Sequence, residues 1–134
     1  MSAVGSKSGI VKASDEDIAW LVDDSSRPLH YAQRWARDFG LSMFVVTLGA
    51  EGAVAVTPDG RQITSPGRRV PVVDTVGAGD TFMAGFLSSL SQNFVDVQGA
   101  LDRGVAAAAI VCSRQGAQPP SFAEVALVLG NEPY

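Results

Sequence analysis

Apolar and polar positions follow two rhythms along the chain, and the switches between them mark its elements. Ile10-Val11-Lys12 suits a short buried strand, and Ser14 followed by Asp15-Glu16-Asp17 has the character of a helix start. The hydroxyl caps the first turn and the acids lie near the positive end of the helix dipole. Ile18, Leu21 and Val22 then fall on one helical face. From Pro28 to Phe39 the apolar positions Leu29, Ala32, Ala36 and Phe39 keep helical spacing, and Gly40 suits the helix end. Ser42-Met43-Phe44-Val45-Val46-Thr47 is a continuous apolar run, expected of a parallel strand buried on both faces. It ends in the tight glycine turn Leu48-Gly49-Ala50-Glu51-Gly52, which leads into a further strand, Ala53–Thr57. Pro58-Asp59-Gly60 folds that strand back on Arg61–Ser65 as a hairpin.

Beyond the hairpin, Arg68 and Arg69 read as a solvated pair, because adjacent residues of a strand face opposite sides. Val70-Pro71-Val72-Val73 is strand-like, and Phe82, Met83, Phe86, Leu87 and Leu90 mark one face of a helix that packs on a sheet. A second helix, Asp96 to Ser113, carries Val97, Leu101, Val105, Ala108 and Cys112 along one stripe, and its small residues Ala106–Ala109 let a backbone or a flat ligand approach closely. Ser121 caps a last helix running to Leu129.

The chemistry concentrates where strand-like Val70–Val73 gives way to Asp74-Thr75-Val76-Gly77-Ala78-Gly79-Asp80-Thr81-Phe82. Glycines let backbone N–H groups converge, and the first turn of the following helix adds its own unpaired N–H groups, so the place attracts anions. Asp80 sits in that same turn. A carboxylate beside a bound phosphate is repelled, and a reason for it to be there is to take a proton from a hydroxyl as that hydroxyl attacks phosphorus. The bland reading of the same run is an ordinary loop in which Asp80 favours a helix start.

Gly77-Ala78-Gly79-Asp80 within Asp-Thr-x-Gly-Ala-Gly-Asp-x-Phe-x-x-Gly, completed by Gly85, resembles the second signature of the ribokinase-like carbohydrate kinases, the PfkB family. The resemblance runs from about Ile10 to Ser121. It implies an α/β chain forming the C-terminal part of a three-layer α/β/α fold, with a mostly parallel sheet and a β-hairpin. It also implies ATP-dependent phosphorylation of a sugar hydroxyl, with Asp80 as the base and the amides of Gly77, Ala78 and Gly79 as the anion hole. Thr47, Gly49 and Gly52 resemble the ATP-contacting turn of the family, and Val105, Ala109 and Cys112 take the place of its adenine pocket. Asp17 and Glu16 resemble its magnesium-shell acids, the usual Asn-x-x-Glu having become Ser14-Asp15-Glu16-Asp17. The closing loop Ser113–Pro120 resembles the one whose backbone holds a monovalent cation such as K+, here through Asp74, Val76, Val111, Arg114 and Gly116. The stretch Lys12–Leu21 is most similar to fructokinases, with ribokinase or another sugar or nucleoside kinase as the alternative substrate class.

Composition narrows the alternatives. The chain has 134 residues, 46% hydrophobic and 18% charged, which fits a globular domain with a sizeable core. Its net charge of −4 argues against nucleic-acid binding. Cys112 cannot form an intramolecular disulfide and reads as a core thiol, and His30, without a second His or Cys nearby, takes no metal role. Residues 1–9 are small and polar, the expectation being a flexible tail ahead of a nucleotide-binding part over 10–134, with no signal peptide, no membrane span and a cytoplasmic location. The family's first Gly-Gly signature, sugar-binding residues and β lid have no counterpart here. A non-catalytic module is therefore the competing expectation: one that binds nucleotide, or self-associates as a homodimer through surface that the missing half would cover.

Overall fold

The computed structural model describes residues 2–4, 9–68, 77–92, 96–113 and 120–129. In chain order these form β1 (Ser2–Val4), β2 (Ile10–Ser14), α1 (Asp15–Val22), α2 (Pro28–Asp38), β3 (Met43–Thr47), a 3-10 turn (Gly49–Glu51), β4 (Gly52–Val56), β5 (Gln62–Pro66), α3 (Ala78–Gln92), α4 (Val97–Cys112) and α5 (Phe122–Leu129). The chain divides into two compact units, Met1–Thr64 and Ser65–Tyr134.

The strands lie in the order β1-β2-β3-β4-β5. β2 and β3 are parallel, with Ile10 opposite Met43 and Ser14 opposite Thr47, because α1 and α2 carry the chain back between them. β4 runs antiparallel to β3, and β1 antiparallel to β2. The sheet is thus mixed rather than mostly parallel. A three-residue 3-10 turn after β3 can only reverse the chain, since a parallel return needs a crossover of a dozen or more residues. Nor is the amino-terminal stretch wholly a tail: Ser2–Val4 pairs with Ile10–Lys12, the free edge of β2 offering it unpaired backbone groups.

Side chains of β3 and β4 are buried on both faces, as the unbroken apolar runs require. One face joins Ala13, Phe44, Val46, Val54 and Val56 to Ile18 of α1 and to Ala32 and Ala36 of α2 in a single core. Trp35 packs its ring 5.7 Å from that of Phe44. Ser14 caps α1 by accepting from the Asp17 N–H at 3.0 Å, and Pro28 opens α2, where its missing N–H costs nothing. Two residues expected on apolar faces are exposed. Leu21 stands in the last turn of an eight-residue helix, at the edge of the Ile18 stripe, and Phe39 is the residue at which α2 stops, just before Gly40 turns left-handed at φ 63°. The β4–β5 turn closes with Thr57 N–H donating to the Arg61 carbonyl at 3.0 Å and Gly60 at φ 92°.

In the second unit, Phe82, Met83, Phe86 and Leu90 are the buried face of α3, with Leu87 half-buried. On α4 the buried set is Ala100, Leu101, Gly104, Val105, Ala106, Ala107, Ile110 and Val111. Val97, Ala108 and Cys112 of the expected stripe are half-buried instead, because α4 packs on α3 through Gly104 and on α5 through Ala106, Ala107 and Ile110. Cys112 is accordingly a half-buried thiol rather than a core one. Ser121 and Glu124 cap α5 reciprocally: the Ser121 N–H donates to Glu124 Oε1 at 3.0 Å and the Glu124 N–H donates to Ser121 Oγ at 3.2 Å. Arg68, expected to be solvated, donates through Nη1 to the Val128 carbonyl at 2.9 Å, near the end of that helix. The strand expected over Val70–Val73 lies outside the described residues. Among the described residues, no helix is long and apolar enough to cross a membrane.

Candidate active site

Gly77 has φ 79°, a left-handed conformation that a side chain strongly disfavours, and directly after it the chain enters α3. The helix's own hydrogen-bond ladder begins with the Thr81 N–H donating to the Gly77 carbonyl at 2.9 Å. The amides of Ala78, Gly79 and Asp80 therefore precede the ladder, in the first turn where helical N–H groups have no partner within the helix. Asp80 stands third in α3 and is exposed. Gly77 and Asp80 both line a cavity of about 810 Å³, whose wall continues through Thr81 and Ser88 of α3, Arg103 of α4 and Ser121 ahead of α5. The glycine turn and the carboxylate at the start of α3 thus open on one space large enough for a small organic molecule.

The first unit gathers a second set. Register places Ser14 beside Thr47, so the start of α1 and the turn after β3 occupy the same end of the sheet. At that end, Leu48 N–H donates to the Gly52 carbonyl at 2.8 Å and Glu51 N–H to the Leu48 carbonyl at 3.1 Å. Gly49 and Gly52 adopt φ 59° and 105°, so both glycines are required by the turn itself. Thr47 is half-buried, Gly49 exposed and Gly52 buried. Glu16 and Asp17 are exposed in the first turn of α1 next to it. No group of three or more His, Cys, Asp or Glu side chains forms a metal cage among the described residues. Two exposed carboxylates beside a glycine turn still match the donor set of Mg2+, which keeps several waters and takes one or two carboxylates together with phosphate oxygens.

Val105 is buried, and Ala109 and Cys112 are half-buried on α4; the wall of the cavity is formed instead by Arg103 and Ala107 of that helix. Val111 has a buried side chain in the last turn of α4, where carbonyl groups lack helical partners. Asp74, Val76, Arg114 and Gly116 lie outside the described residues. Sequence reasoning passed over Arg103. The available signal was that Arg103 is the one basic residue within Val97–Cys112, a helix otherwise dominated by small and apolar side chains.

Against known proteins, the model of the pfkB family carbohydrate kinases matches residues 1–123. The chain belongs to that family. A fructokinase of Rhizobium leguminosarum bv. trifolii is 48% identical over 90 residues, which are 67% of this chain and 27% of that protein. Among solved structures, aminoimidazole riboside kinase from Salmonella enterica, complexed with aminoimidazole riboside and an ATP analogue, superposes with a TM-score of 0.78 at 30% identity, covering 91% of this chain and 42% of that one. Fructokinase from Vibrio cholerae O395, holding fructose, ADP and calcium, gives 0.64 at 30% identity over 81% of this chain and 36% of that one. The fold over the matched residues is the ribokinase-like one. The chain spans about a quarter of the curated PfkB relative's length and about two fifths of the most fully covered of these structures.

Proposed function

We propose that this PfkB chain carries the phosphoryl-transfer machinery of an ATP-dependent sugar kinase. The observation that carries the reading is the position of Asp80, third residue of α3, behind a left-handed Gly77 and on the wall of the cavity. Asp80 takes the proton of the sugar hydroxyl as its oxygen forms a bond to the γ-phosphorus of ATP. The bond from that phosphorus to the bridging oxygen breaks, and ADP leaves with the electron pair. The amides of Gly77, Ala78 and Gly79 are oriented before reaction and stabilise charge on the transferring oxygens.

Thr47, Gly49 and Gly52 contact the nucleotide, and Val105, Ala109 and Cys112 belong to the surface against its adenine. Glu16 and Asp17 hold Mg2+ through water; when bound, that ion neutralises charge on the phosphate oxygens. A monovalent cation, K+ in the first instance, is held by the backbone at Asp74, Val76, Val111, Arg114 and Gly116. Fructose is the acceptor favoured by the 48% identity to a fructokinase, with ribose or a nucleoside as the alternative, and the enzyme works in the cytoplasm.

The competing reading is a module that binds nucleotide without turnover or pairs with a second copy of itself. A coupled ADP-release assay with fructose and with ribose, run beside a native mass measurement, separates them. Saturable turnover supports the kinase reading for this chain. Nucleotide binding without turnover, with a dimer mass, supports the module.

A further inference from the structure

Trp20 of α1 is 83% exposed, with Leu21 beside it at 50%. Ile18 is the buried side chain of that helix, and Trp20, two residues on, stands about 200° around from it, on the outer face. Glu16 precedes Trp20 by four residues and Asp23 follows it by three, so two exposed acids flank the ring. Residues 15–24 carry five acids and no basic residue. The outer face of α2 has the opposite charge. Arg27, His30, Arg34 and Arg37 recur at three- and four-residue spacing, all exposed, while Ala32 and Ala36 face inward, and residues 27–37 hold no acid. Ile18, Ala32 and Ala36 belong to one core against one face of the sheet, so the acidic and the basic stripe look outward on the same side of the first unit. Arg27 lies 3.5 Å from Asp24 and over the Tyr31 ring, and Arg34 and Arg37 share the Asp38 carboxylate, each at 3.8 Å. Ion pairs open to water are weak and a guanidinium has five donors, so each arginine can take a further carboxylate.

We infer that the outer faces of α1 and α2 form a docking surface for a second copy of this chain. About a two-fold axis, α1 of one copy lies on α2 of the other, and the reverse contact follows by symmetry. Glu16 and Asp23 are seven residues apart, on the order of 10 Å along a helix, and Arg27 and Arg34 have the same separation. The acids of one helix therefore match the arginines of the other in either direction, with Trp20 against the guanidinium planes. Trp and Arg are the side chains that most often carry the energy of such contacts. Charge complementarity selects the occupant: one chain carries both stripes, and a two-fold contact satisfies both at once. The inference rests on the self-association reading for the existence of a dimer and gives that dimer its surface, while the cavity and Asp80 take no part in it.

Sedimentation velocity on the 134-residue chain over the micromolar range tests this. The parent is expected to form a dimer that loosens as salt is raised. Trp20→Ala, at an exposed position, is expected to weaken it about tenfold or more, which keeps the test decisive if a charge reversal fails to fold. Asp23→Lys, Arg27→Glu and Arg34→Glu each set like charges against one another in both halves of the contact and are expected to weaken it likewise. Glu16 is left unchanged because of its place beside the nucleotide turn. Mixing is the sharper arm: Asp23→Lys is expected to recover the dimer with Arg34→Glu if the helices run in the same direction, and with Arg27→Glu if they are opposed. Folded variants that lose the dimer and recover it in neither mixture overturn the pairing of α1 with α2. A dimer of equal strength in every variant overturns this surface and leaves self-association standing. A parent that stays monomeric overturns both, and ADP release by that monomer would still support the kinase reading.

Discussion

Gly85 on α3 and Gly104 on α4 meet at the crossing of the two helices, where a Cβ on Gly85 would stand 3.3 Å from the Gly104 Cα. From the other side, a Cβ on Gly104 would come within 2.9 Å of the Phe82 ring and 3.0 Å of the Phe82 carbonyl oxygen. Phe82 is buried and stacks 6.0 Å from Phe86, so its ring has little room to give way. The crossing holds the first turns of α3, and with them Asp80, against α4. Gly104→Ala is expected to destabilise the chain by about 1–3 kcal/mol through overpacking. Chemical denaturation measures it, and a stability equal to the parent's would mean that the crossing is looser than these distances state.

The turn after β3 makes a different demand. Gly52 is buried with φ 105° and ψ −136°, a region open in practice to glycine alone. Gly52→Ala is expected to cost about 1–3 kcal/mol and to weaken nucleotide binding, since the substitution displaces the backbone next to Thr47. Thermal melts with and without ATP separate the two effects: the midpoint falls, and so does the shift produced by nucleotide.

Capping provides a milder perturbation at the same sheet end. Ser14→Ala removes the acceptor of the Asp17 N–H and is expected to cost about 1 kcal/mol. A loss well under half that value in a urea titration would place the stability of α1 in its burial of Ile18 and not in its cap.

Asp24 gives the chain a pH dependence. Its carboxyl is held well below its ordinary value, first by the Ser26 hydroxyl, which donates at 2.6 Å, then by the Ser26 N–H at 2.9 Å and the Tyr31 hydroxyl at 2.9 Å. The unfolded chain therefore binds the proton more readily than the folded one. The resulting stability is fully present above the ordinary value of 3.8 and is lost as pH falls toward the lowered one. The stability difference between the parent and Asp24→Asn should be flat from neutrality down to about pH 5 and shrink below about pH 4. A difference that stays constant down to about pH 2 would remove Asp24 from the acid limb.

For the proposed chemistry, Asp80→Asn keeps size and shape and removes the base. Turnover is expected to fall by roughly 10²–10⁴-fold while nucleotide affinity is retained. Unchanged turnover would assign the proton to another group. The measurement is best made on this chain where it turns over, and otherwise on a longer PfkB chain carrying the same signature.

Much of the fold was legible from local pattern. The run Met43–Thr47 was uniform enough to announce burial on both faces, and Ser14, Pro28, Gly40 and Ser121 marked helix ends through their own hydrogen-bonding or backbone preferences. The Gly77–Asp80 run could be placed at a helix start because left-handed backbone and first-turn amides are properties of the run itself. The α4 stripe read less well. Periodicity marks a helix with one apolar face, but α4 meets α3 and α5 on different sides, so Ala106, Ala107 and Ile110 are buried while Ala108 is not.

What the sequence determined by itself is the order of the described elements from β2 onward, most of their ends, and the glycine and carboxylate chemistry of the α3 start, all of which depend on residues within a few positions of one another. Tertiary structure decided what depends on distant residues: the mixed sense of the sheet, the pairing of Ser14 with Thr47, the exposure of Leu21 and Phe39, and the presence of Arg103 on the wall it shares with Asp80. The division has a physical cause. Caps, turns and helical faces are set by short-range sterics and hydrogen bonds, whereas register and cavity walls follow from which surfaces exclude water together, and that is a property of the folded chain as a whole.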